Sequence, residues 1–125
     1  MRILIVEPFL TGSHEAWARE YAERSSHNVD ILGLEGRNWK WRMHGGAVTL
    51  ARRFLDEGHS PDLILATDML DLTTFLSLTR ERTAGTSAAI YFHENQLSYP
   101  WSGGDPDPGL PVSYTHLRAH ETKAN

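Results

Sequence analysis

Arg2-Ile3-Leu4-Ile5-Val6-Glu7 is the stretch on which the fold turns. Four aliphatic residues follow one another without polar alternation, which suits a strand covered on both faces, as parallel sheets require. Working outward, Pro8 to Ser13 breaks the run, and Ser13 can accept a hydrogen bond from the first turn of a helix over about residues 14–24. Trp17, Tyr21 and Ala22 are spaced to share one face of that helix. Residues 29–32 read as a second short strand, and residues 33–38 as a loop with two glycines. Ala47, Leu50, Ala51, Phe54 and Leu55 recur at three- and four-residue steps, predicting an amphipathic helix over about 46–56 that stops at Gly58. A third buried strand follows over residues 62–67, Asp71 can cap a helix running through Thr79, and residues 87–92 make a fourth strand ending at His93.

The order β-α-β-α-β-α-β predicts an α/β fold, a Rossmann-like three-layer sandwich with a parallel sheet of about four strands. In such sheets ligands sit beyond the carboxyl ends of the strands, which directs attention to residues 7–14, 66–70 and 93–100. The domain is expected to span residues 1–101. Residues 102–111, rich in Gly, Asp and Pro, read as a flexible loop, and residues 112–125 as a non-native read-through tail.

Composition narrows the function. The 125 residues carry 12 Lys and Arg against 16 Asp and Glu, a balance that argues against general coating of a polyanion. Cysteine is absent, excluding disulfides, thiolate nucleophiles and Cys-based metal sites. The amino terminus is too short to form a signal-peptide core and no apolar run is long enough to span a bilayer, so a cytoplasmic protein without membrane contact is expected.

Three constellations could carry chemistry. Thr11-Gly12-Ser13-His14 follows strand one, where a flexible residue lets backbone N–H groups approach an anion such as a diphosphate; a simple turn with a solvated His would use the same residues. His93-Glu94-Asn95-Gln96 follows strand four with groups that both donate and accept, which suits a hydroxyl-rich ligand, although such side chains can also tie down a polar loop. Arg37-Asn38-Trp39-Lys40-Trp41-Arg42 opens a stretch, residues 36–55, with five cations and no acid. Interleaved tryptophans suit unstacked bases and a phosphate backbone, or else they anchor the core while the cations reach solvent. No Walker sequence, G-x-G-x-x-G, H-E-x-x-H or G-x-S-x-G occurs, and no metal is expected.

Glu7 with Phe9 and Gly12-Ser13-His14, then Trp39-Lys40-Trp41-Arg42-Met43, then Tyr91-Phe92-His93-Glu94-Asn95-Gln96-Leu97 with Tyr99-Pro100, resembles the amino-terminal domain of the tRNA-queuosine mannosyltransferase family, in family order over about residues 1–101. Thr11 stands where the family commonly has a second glycine, a departure that bears on phosphate approach there. The resemblance implies the first half of a two-domain GT-B glycosyltransferase. It mainly holds the acceptor and works with a second Rossmann-like domain that binds GDP-mannose, transferring mannose to queuosine in tRNA. It implies His93 against the donor sugar as the catalytic residue and Gly12, Ser13 and His14 near the diphosphate. Glu94, Asn95 and Gln96 would shape the cleft, and Arg37, Trp39, Lys40, Trp41 and Arg42 would lie on the tRNA side, with the nucleotide-sugar as substrate and no cofactor. Two other classes compete. A receiver-like domain phosphorylated on Asp68 would need further carboxylates for Mg²⁺ where Pro8 stands, and a non-catalytic RNA- or sugar-binding module would need only the rim.

Overall fold

The computed structural model describes residues 1–93, without the side chains of Trp39 and Lys40. The expectations placed on Glu94, Asn95 and Gln96, on the loop 102–111 and on the tail 112–125 lie outside the described residues. Four strands, β1 (Arg2–Leu10), β2 (Asn28–Glu35), β3 (Leu63–Thr67) and β4 (Ser87–Tyr91), form one parallel sheet in the order β2-β1-β3-β4. The connecting helices are α1 (Gly12–Arg24), α2 (Trp39–Asp56), α3 (Leu72–Leu78) and α4 (Arg80–Thr83).

Alternate side chains along β1 sort onto two faces, as strand geometry dictates. Leu4 and Val6 join Leu32, Ile64 and Ala66 in a cluster closed by Ala47, Leu50, Ala51 and Phe54 of α2 and by Leu72 and Phe75 around α3. Phe54 and Phe75 meet edge to face at 5.5 Å, and each is at most 1% exposed. Burial of such a side chain contributes about 1.5–3 kcal/mol, so this side of the sheet carries most of the core. The opposite face, with Ile3 and Ile5, is covered by α1. Helices therefore flank the sheet on both sides, the three-layer arrangement that alternating elements predict.

Element boundaries depart from expectation in instructive places. β1 continues through Pro8 to Leu10, because β3 leaves it after the Val6–Ala66 pair and the ladder with β2 shifts register between Glu7 and Leu10. A proline there has no bond to lose on the β3 side. α1 begins at Gly12 rather than near residue 14: the Thr11 carbonyl accepts the N–H groups of both His14 and Glu15, and Ser13 lies exposed within the first turn instead of capping it. β2 runs to Glu35, taking in residues expected as loop. α2 starts seven residues before Gly46, at Trp39, so the Trp-rich segment is its first turns. Gly46 lets this helix lie close to β1, since a Cβ there would stand 2.9 Å from Pro8 Cβ. Asp71 caps α3 as expected, accepting from the Thr74 N–H at 3.1 Å.

Candidate functional site

The last residues of the strands form a polar row beneath the start of α1. Ile3 and Ile5 face that helix, and by the same alternation so does Glu7, one step beyond the end of the β1–β3 ladder. Thr67 takes the equivalent place on β3, paired with Tyr91 of β4. Glu7 is 0% exposed. A buried carboxylate costs several kcal/mol unless its oxygens are satisfied, and both have partners: Oε1 lies in hydrogen-bond contact with His14 Nδ1 at 2.7 Å and Oε2 accepts from the Phe9 N–H at 3.1 Å.

His14, on the first turn of α1, packs its ring against His93 just past β4, with centroids 4.0 Å apart. Three aromatic rings complete the cage: Tyr91 and Trp17 meet His93 edge-on at 5.0 and 5.4 Å, and Phe9 meets His14 edge-on at 6.0 Å. Burial pushes the His93 imidazole below its ordinary pKa and His14 adds to that effect, while Asp68 and Glu7 pull the other way. His93 is therefore neutral near neutral pH, able to donate from one nitrogen and accept on the other. Its Nε2 is buried 4.0 Å from Glu7 Oε1 and has no hydrogen-bond partner among the described residues, and the same holds for Thr67 Oγ1. Such atoms call for a partner outside the described residues, whether a water, an ion or a ligand oxygen.

Glu7, His14 and His93 each offer one potential metal-ligating atom, all within 4.8 Å of one another. A tetrahedral ion with ligands about 2.0–2.2 Å away would need more even spacing than 2.7 and 4.0 Å. As arranged, Glu7 and His14 share a hydrogen bond, and His93 Nε2 stands outside it.

Among the residues singled out from sequence, His93 and His14 come together, with Gly12 and Ser13 exposed at the helix start beside them. Gly12 has φ +53°, a left-handed conformation that favours glycine. Arg37 and Arg42 lie at the start of α2, on the same edge of the sheet, since all four strands run parallel. Arg37 pairs with Glu35, whose carboxyl it holds below the usual range by hydrogen bond and charge. Trp41 is 55% exposed and so is not a core anchor; the Arg42 guanidinium lies 5.0 Å from its ring centroid. Trp39 and Lys40 open the same helix. Asp68 is 1% exposed, which withdraws it from a phosphodonor in solution and removes the basis for a receiver-like reading. Sequence reasoning gave no site role to Trp17 or Tyr91, and it reached Glu7 and Thr67 only as members of the strand-end stretches 7–14 and 66–70. Glu7 left a further signal, a charge at the third place of the Ile3-Ile5-Glu7 alternation.

A parallel sheet with helices on both faces defines a Rossmann-like α/β domain, with His93 caged at its carboxyl rim. Comparison with known proteins narrows the class. Residues 2–120 match the family model described as tRNA-queuosine alpha-mannosyltransferase N-terminal, and the chain belongs to that family. It is 34% identical over 99 residues to the tRNA-queuosine alpha-mannosyltransferase of Drosophila melanogaster, an alignment covering 78% of this chain and 26% of that protein. The chain thus spans about a quarter of the relative's length. No solved structure matches it. No helix among the described residues is long and apolar enough to cross a membrane.

Proposed function

We propose that this chain is the acceptor-side domain of a GT-B glycosyltransferase that moves mannose from GDP-mannose to queuosine in tRNA. The observation that carries the reading is His93, caged by His14, Trp17 and Tyr91, with a buried Nε2 that has no hydrogen-bond partner among the described residues. Glycosyl transfer develops positive charge on the sugar ring and negative charge on the departing diphosphate, so fixed dipoles and donors serve it better than a covalent nucleophile. In this reading His93 is the catalytic residue, with a hydrogen bond to the donor sugar that strengthens in the transition state. Gly12, Ser13 and His14 lie toward the diphosphate, and Glu94, Asn95 and Gln96 shape the cleft. A second Rossmann-like domain binds the donor nucleotide, GDP-mannose is a substrate with no resident cofactor, and the reaction takes place in the cytoplasm.

Arg37, Trp39, Lys40, Trp41 and Arg42 form the tRNA side. An exposed Trp41 beside Arg42 favours stacking on an unpaired base, and the same pair would serve a purely RNA-binding module. Turnover separates the two. In a full-length relative carrying the same blocks, the substitution equivalent to His93→Ala is expected to lower mannose transfer at least tenfold, about 1.4 kcal/mol, with tRNA binding unchanged. Undiminished transfer removes His93 from the chemistry. Absence of any transfer in the unmodified relative, with tRNA bound, leaves the binding module.

A further inference from the structure

We propose that Glu7 is a positioning residue of this site: its buried carboxylate fixes His14 with the proton on Nδ1, and through the His14 ring it sets the orientation of His93. Apart from accepting the Phe9 N–H where the β1–β2 ladder shifts register, the packing does not call for a carboxylate here. The two preceding residues on this face, Ile3 and Ile5, are 3% and 0% exposed, and an aliphatic side chain would continue the row without the cost of burying a charge. The carboxylate is moreover held still, because the Phe9 N–H occupies Oε2 while His14 Nδ1 occupies Oε1. A rigid, charged acceptor selects the His14 tautomer protonated on Nδ1, which makes Nε2 the accepting nitrogen; a carboxylate that orients a functional imidazole works in this way.

The coupling to His93 is steric. Its ring lies 4.0 Å from His14 at 41° and meets Trp17 and Tyr91 at 83° and 77°, so it cannot turn without displacing a neighbour. Among the described residues, the charged and titratable groups that meet here are Glu7 from β1, His14 from α1, Asp68 after β3, Tyr91 of β4 and His93 after it. Glu7 touches no reacting atom in this scheme. Only the use to which His93 is put rests on the transferase reading; the tautomer and the ring geometry do not.

Histidine-ring ¹H–¹⁵N correlation spectra of this chain, recorded without ligand, test the proposal. Neutral His14 is expected to carry its proton on Nδ1. In Glu7→Gln, a substitution of equal size, the His14 nitrogens should move to a tautomer mixture and the His93 ring protons should shift, while amides of α2 stay in place. Should Glu7→Gln fail to fold, His14→Asn supplies the second arm and should shift the His93 ring signals by loss of the stacked neighbour. His14 protonated on Nε2 in the unmodified chain, or His93 signals indifferent to both substitutions, overturns the proposal. So does a visible Co²⁺ absorption band that His14→Asn abolishes, since the three residues would then be metal ligands. Addition of GDP-mannose to the same sample addresses the transferase reading alone: failure to bind leaves the Glu7 assignment intact.

Discussion

Trp17 of α1 and Tyr91 of β4 stack at 4.3 Å and 20°, joining the first helix to the last strand across the face that carries the site. The contact closes the outer side of the His93 cage. Aromatic pairs of this kind contribute about 0.5–1.5 kcal/mol beyond their buried area. A double-mutant cycle on Trp17→Ala and Tyr91→Ala, read by urea unfolding, should return a coupling energy in that range; additive effects would show the stack to be energetically silent.

His93 gives a pH signature. Its folded-state pKa lies below the unfolded value of about 6.5, so the unfolded chain binds more protons in that window. Stability is full above about pH 6.5 and falls as the pH drops from there toward the folded pKa. Midpoints of unfolding measured from pH 7.5 to 5 should decline in the unmodified chain and decline less in His93→Gln. Equal slopes would contradict the burial and charge effects assigned to this ring.

Asp71 caps α3 through the Thr74 N–H and the hydroxyls of Thr73 and Thr74. Burial raises its pKa, but these hydrogen bonds outweigh burial and hold the carboxyl below its ordinary value. The stabilisation is present above about pH 3.9 and is lost as the pH falls through the folded pKa. Asp71→Ala should cost about 1 kcal/mol at pH 7 by chemical denaturation and much less near pH 2.

Two glycines separate helix propensity from packing. Gly46→Ala gains about 1 kcal/mol in propensity but forces a Cβ to 2.9 Å from Pro8, and overpacking of this kind costs about 1–3 kcal/mol. A net loss of about 1 kcal/mol is expected. Gly85 has nothing within 4 Å of the added Cβ, and Gly85→Ala should gain about 0.5 kcal/mol through the unfolded chain. Thermal unfolding of both variants checks the pair, and a stabilised Gly46→Ala would mean that α2 approaches β1 less closely than described.

Phe54→Ala removes the ring at the meeting point of α2, α3 and the sheet, where it is 1% exposed. A cost of about 3–5 kcal/mol is expected, measured as a lowered denaturant midpoint, against a change within about 0.5 kcal/mol for exposed Val48→Ala.

Local patterning determined the class of fold. The aliphatic run of β1, the three- and four-residue recurrence from Ala47 to Leu55 and the Asp71 cap are written in nearest-neighbour chemistry, and each appears in the structure where its pattern lies. Residue blocks in order along the chain also carried the family. Tertiary structure alone decided the ends of elements and the membership of the site. Pro8 stays in a strand because β3 has already parted from it, and α2 reaches back to Trp39, both set by neighbours distant in sequence. The cage around His93 draws on β1, α1 and β4, residues up to 86 positions apart between Glu7 and His93. No period or spacing encodes such a meeting: sheet order brings those strands and α1 to one rim, and burial then makes their few polar atoms answer to one another.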